Sequence, residues 1–337
     1  MRRMVIGAAL AVLAMGPAAG AEAACKVGKI AELPVVMQRG RPLAHVQVNG
    51  RDLQFLVATA QPFSQISPTD AQALNLQVHT LPPSINRGRR ITSYSEIDVR
   101  TADGEQRLQV TTARDFRFGG ADFPNFELSV PPAARAGDID GALGQNILGV
   151  TDVEYDLGHG AVRLFKVDGC ENTAMAYWAT DGSASVIEEL PQQGTFLHTM
   201  AYATVNGQQM RVLLDSGAAH SVLSQAAAAR AGILPTSPGV VAAGDVPDLD
   251  RGAVHTWIAP VASFQIGDED IRATRLRVGD FDFRGFDMRL GADFLRSHRV
   301  YVSSSQRRIY FTYNGGPVFD LSTQPTAFVA PSPNAGD

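Results

Sequence analysis

The chain has 337 residues, 45% hydrophobic and 19% charged, with a formal net charge of −5. That length and apolar content fit two ordinary globular domains, each large enough to bury its own core. Charge gives no footing for nucleic-acid binding: Arg87, Arg89 and Arg90 form the one dense basic patch, read as a solvated loop, and no run of like charges suggests a solvating tail.

Residues 1–23 read as a secretory leader. Arg2 and Arg3 form a basic start, the apolar run 5–15 is too short to span a bilayer, and Ala21-Glu22-Ala23 fits the small-x-small cleavage rule. The mature chain is then expected to begin at Ala24 or Cys25 and to be periplasmic or secreted. Lipidation of Cys25 is the alternative, and Glu22 spoils its pattern. No later segment is long and apolar enough for a membrane span. In an exported chain the two cysteines, Cys25 and Cys170, suggest one disulfide rather than two free thiols. Two distant cysteines and scattered histidines give no metal-ligand spacing, so neither metal nor cofactor is expected.

From about residue 30 to 167 the periodicity is strand-like, with short apolar runs separated by Gly, Asn-Gly and Asp-Gly turns. Asn49-Gly50 predicts a hairpin. A helix is expected over 68–76, with Pro68 at its start and Asn75 near its end. Thr101 to Gly104 reads as a further turn. A polar connector follows over 168–194, with a short strand or helical turn near 175–178. The second strand-rich region spans 195–314. Its expected features are a hairpin at Asn206-Gly207, a helix over 225–231 capped by Ser224 and stopped by Gly232, a hairpin over 264–271, and a short helix near 293–295. Residues 315–337, rich in Pro, Ser and Asn, are expected to form a flexible tail that frays or runs over the surface. The fold class is all-β with short helices.

The two regions are copies. Shifting by 157 positions lays Val48-Asn49-Gly50 on Val205-Asn206-Gly207, Ala58-Thr59-Ala60 on Asp215-Ser216-Gly217, and Ser64 to Ser67 on Ser221 to Ser224. At a slightly smaller offset, Leu143-Gly144 falls on Leu290-Gly291. The copies differ at one chemically decisive place: Asp215 in the second is Ala58 in the first.

The apolar strand 210–214, the turn Asp215-Ser216-Gly217-Ala218 and the apolar exit Val222-Leu223 together resemble the active-site turn of the aspartic proteases, in the retropepsin-like branch. The resemblance implies two retropepsin-like lobes in a pepsin-like bilobal arrangement, with Asp215, Ser216 and Gly217 as catalytic residues. It implies that the Leu290-Gly291 segment packs the turn from behind, with Asp293 anchoring backbone. Such enzymes activate a water between two carboxylates that share a proton, one acting as base and the other as acid. In this family the carboxylates come either from two lobes or from two identical chains. Here the first lobe keeps a bracing hydroxyl, Thr59, but no carboxylate.

The expected function is therefore aspartic endopeptidase, with a homodimer supplying the second Asp215 and peptides or unfolded proteins as substrates. The alternative is a pseudoprotease that holds extended peptides in the interlobe cleft. A flap is expected near 239–244, with Asp245, Asp248 and Asp250 following, and its lobe-one counterpart near 91–94. Asp140, Asp287 and His220 read as structural. Asp280 and Asp282, lying among Phe281, Phe283 and Phe286, read as a loop that packs its rings inward.

Overall fold

The computed structural model describes residues 24–80, 100–101, 104–105, 109–131, 139–191, 197–248, 252–283 and 285–322. The leader at 1–23, the basic patch at 87–90, the lobe-one flap at 91–94, Asp250 and the tail beyond 322 lie outside the described residues.

The duplication is visible strand for strand. Arg41–Val48 and Arg51–Val57 pair antiparallel across Asn49-Gly50, as Met200–Val205 and Gln208–Leu214 do across Asn206-Gly207. Both turns have positive φ at Asn and Gly, 51° and 84° in the first and 47° and 80° in the second. Those are the turns whose twist suits a two-residue hairpin. Each lobe then follows one path. The second strand runs parallel to the short strand before the Leu-Gly step (Gly141–Leu143; Met288–Leu290). That strand pairs antiparallel with the strand leaving the turn (Gln65–Ile66; Val222–Ser224). The leaving strand lies parallel to Ala121–Val130 or Glu269–Gly279. Gln109–Phe118 and Gly252–Ile266 return to the first strand and close the ring. Each lobe is thereby a closed six-stranded barrel, and in lobe two Val241–Asp248 remains an edge strand outside the ring. Alternating residues fill the interiors: Val46, Leu53, Phe55, Val57 and Phe116 in lobe one, and Val205, Met210, Val212, Leu214 and Phe264 in lobe two.

The helices sit where local chemistry favours them. Ser67 Oγ accepts from Asp70 N (3.0 Å) to start Pro68–Ala73, and Ser224 Oγ accepts from Ala227 N (3.2 Å) to start Gln225–Arg230. Asn75 (φ 51°) and Gly232 (φ 74°) turn the chain away after them. Ala292–Ser297 follows Gly291 as expected, and its counterpart Gln145–Leu148 follows Gly144.

The lobes share a further sheet. Asp152–Asp156 meets His298–Ser303 antiparallel, Val153 opposite Val302 and Tyr155 opposite Val300. These are the same strand in the two copies, and a two-fold relation makes equivalent strands meet head to tail. Ala161–Asp168 and Lys26–Gln38 extend the sheet on one side, Arg308–Tyr313 and Ser185–Glu188 on the other. The Cys25–Cys170 disulfide ties the first described strand to the end of lobe one. Glu154, fully buried at the centre, is held by Arg163 (2.6 Å) and Arg299 (2.8 Å).

Two segments depart from their composition. The stretch between the lobes is anchored by buried Met175 and Ala176, with Arg299 4.4 Å from the Trp178 ring centroid. Within the stretch expected to fray or run over the surface, residues 315–317 are exposed but Phe319 is buried edge-on against Phe264 at 5.2 Å. One aromatic able to cap a barrel outweighs the Gly, Pro and Ser around it. Among the described residues, no helix is long and apolar enough to cross a membrane.

Candidate active site

The two turns are delivered in the same way and brought face to face. Ala58 N donates to Leu143 O (3.0 Å) and Asp215 N to Leu290 O (2.8 Å), so each turn hangs on the strand behind it. Four reciprocal hydrogen bonds then cross between lobes. Thr59 N donates to Ser216 Oγ (3.1 Å) and Ser216 N to Thr59 Oγ1 (2.9 Å). Thr59 Oγ1 donates to Leu214 O (2.7 Å) and Ser216 Oγ to Val57 O (2.6 Å). Thr59 and Ser216 are both buried, so each bond satisfies a group with no access to water.

Asp215 lies at this junction, 8% exposed, with Gly217 N donating to its Oδ1 at 3.1 Å. A Cβ on residue 217 would crowd Asp215 Oδ1 at 3.2 Å and make ordinary contact with the Ala58 methyl at 3.6 Å. In lobe one there is no carboxylate, and alanine is accommodated at position 60. The residues expected at the site, Asp215, Ser216 and Gly217, are thus brought together, and what faces them is Ala58.

Behind the turns, each Leu-Gly step threads through a space that admits no side chain. A Cβ on Gly291 would lie 2.6 Å from the His220 carbonyl carbon, and one on Gly144 2.4 Å from that of Phe63. Ser221 Oγ donates to Asp293 Oδ1 (2.6 Å) and accepts from Gly291 N (2.9 Å). Ser64 Oγ donates to Asn146 Oδ1 (2.8 Å) and accepts from Gly144 N (3.0 Å). A neutral amide does in lobe one what Asp293 does in lobe two, so Asp293 anchors backbone. Burial pushes its carboxyl up from the usual range, against the pull of its hydrogen bonds from Ser221. Asp140 and Asp287 are likewise equivalent: each accepts from a backbone N–H at the barrel's second strand, Gln54 N (2.7 Å) and Arg211 N (2.9 Å). His220 is half-buried at the back of the turn, and desolvation, then the charge of Arg277, lower its pKa. Arg277 is itself buried and donates to Ala243 O (3.2 Å), Thr256 Oγ1 (2.9 Å) and Ser322 O (2.8 Å).

Beside the Asp215 turn, lobe two carries a further residue absent from the sequence expectations. Strand alternation buries Met288 and Leu290 in the barrel and turns Arg289 to the other face. Its Nη1 lies 3.7 Å from Asp215 Oδ2. Its guanidinium rests against the rings of Phe281 (5.4 Å) and Phe283 (5.5 Å). Phe283 stacks in turn on Phe286 (4.6 Å). The rings the sequence suggested would pack inward do so only in part: Phe281 is buried, while Phe283 and Phe286 are half-buried. Above them stands a hairpin, Val241–Asp248 with the outer part of Gly252–Ile266, whose Val246 and Val254 cluster with Phe281 and Phe283. This hairpin takes in residues 241–244 of the segment expected as a flap and extends beyond it. The signal for Arg289 was present: it is the one charged residue inside a strand otherwise apolar on both sides, and its counterpart in lobe one is Ala142.

A family model described as aspartyl protease matches residues 44–151 and 201–294, one match in each lobe. The chain belongs to the aspartyl protease family. Each matched stretch contains one of the two facing turns, and the retropepsin-like barrels are the fold that the family implies. No curated protein matches the chain.

Proposed function

We propose that this family member holds extended peptides in its interlobe cleft and does not cut them. One observation carries the reading: the position opposite Asp215 is filled by Ala58 of the same chain, on a turn locked in place by four cross-lobe hydrogen bonds. A lone carboxylate cannot be acid and base at once, and Arg289 at 3.7 Å gives Asp215 a cationic neighbour where a dyad needs a second carboxyl. The flap and the aromatic rings suit an extended chain that adds to a strand edge and seats alternate side chains. The disulfide favours an oxidising compartment, in keeping with export.

The intact Asp215-Ser216-Gly217 turn supports a second reading, the two-chain endopeptidase. That route needs the face of the Asp215 turn to be open to another copy, and Thr59 bonds to that face. Incubating the purified protein with unstructured peptides from acidic to neutral pH separates the two. The expected result is binding without cleavage and a monomeric mass. Cleavage that vanishes in Asp215→Asn and rises with the square of protein concentration would replace this reading with the dimeric enzyme. Ala58→Asp combined with Ala60→Gly restores both missing pieces of lobe one, and peptide cleavage by that variant as a monomer is expected.

A further inference from the structure

We infer that the cleft selects a carboxylate on the bound peptide and that Arg289 is the residue that reads it. The inference rests on the peptide-binding reading above and adds the chemistry of its ligand. Arg289 is built to hold a charge and is under-used. Its Nε is buried with no hydrogen-bond partner, its guanidinium donates no hydrogen bond among the described residues, and its ionic contact with Asp215 is long, at 3.7 Å. Buried donors left unpaired are uncommon and call for a reason. Phe281 and Phe283 fix the plane of the guanidinium and keep water from that side, which leaves its rigid fork ready for a bidentate carboxylate. Among the described residues of lobe one, Leu43, Leu56, Ala58 and Ala142 cluster at the opposing turn, a patch that rewards apolar groups. A bound chain is therefore expected to present one acidic group to Arg289 and apolar side chains to the rings and to lobe one. Asp215 is the internal competitor for that arginine.

The carboxylate can come from an Asp or Glu side chain or from a peptide C-terminus, and three labelled peptides distinguish them by fluorescence polarisation. The first is blocked at both ends, with alternating apolar residues around a central Glu. The second has Gln at that position. The third has Gln and a free C-terminal carboxylate. The first or the third is expected to bind at least about tenfold more tightly than the second, as for a charge-assisted hydrogen bond. Whichever wins names the source. Arg289→Met keeps the stem against the rings and is expected to erase that difference while still binding the Gln peptide. Asp215→Asn removes the competitor and is expected to tighten the acidic peptide several-fold. Equal binding of all three peptides to the wild-type protein would overturn this inference and leave the peptide-binding reading standing. Binding of none of them would remove both. Because the peptides themselves carry the change, the first comparison does not depend on any variant folding.

Discussion

The two cleft faces of this molecule are built on one plan and end differently. Lobe one presents Ala58, Ala60 and Ala142, and lobe two presents Asp215, Gly217 and Arg289 at the equivalent places. Everything that holds the turns is kept in both copies: the crossing hydroxyls of Thr59 and Ser216, the ties of Ser64 to Asn146 and Ser221 to Asp293, and the caps of Asp140 and Asp287. The lesson is that scaffold and chemistry part company cleanly. A poorly solvated carboxylate is stabilised by a nearby cation, and lobe two has both. Lobe one lacks the acid and carries alanine at all three places.

The comparison can be broken or sharpened by substitution. The largest effect is expected at the crossing hydroxyls. Thr59→Val and Ser216→Ala each strand buried partners and should each cost about 3 kcal/mol in urea unfolding. The double variant should cost well under the sum, because the bonds are shared. Next comes the set of three. Asp215→Ala or Arg289→Ala alone should cost about 2 kcal/mol, and the double variant less than the sum of the two, since it recreates the apolar face of lobe one. Asp293→Asn should cost only about 1 kcal/mol, because the amide can keep the Ser221 bonds as Asn146 keeps those of Ser64, while the acceptor for Asp320 N is lost.

The smallest effect is a pH dependence. The folded protein holds the pKa of His220 below its ordinary value, so the unfolded chain binds the proton first as pH falls. Stability from this group is therefore complete above about pH 6.5 and declines as pH drops below that, toward the lower folded pKa. His220→Asn should flatten that part of the melting-temperature profile. Asp293 titrates with the opposite sign. Its raised folded pKa contributes stability that is full below the ordinary carboxylate pKa and is lost as pH rises through the folded value. Asp293→Asn removes that decline.

Local signals made much of this legible. Asn-Gly pairs gave both hairpins, Ser67 and Ser224 the helix starts, and the repeated Leu-Gly steps the register between copies. Thr59, carrying a hydroxyl where its neighbours had lost their chemistry, marked the brace. The shared sheet was not legible, because Val153 and Val302 meet through global symmetry and neither sequence neighbourhood encodes the other. Phe319 was hidden by the composition around it. Arg289 was not legible for a different reason: it lies 74 positions beyond Asp215 in sequence, and only the parallel pairing of their strands brings the two together.

The central sheet has a consequence for how the protein comes apart. Strands of both halves lie side by side in it and join at one seam, with Tyr155 and Tyr301 sealed inside. The halves are therefore not beads on a string. Heat should melt them in a single step, and a protease nick in the segment joining them would leave the molecule in one piece.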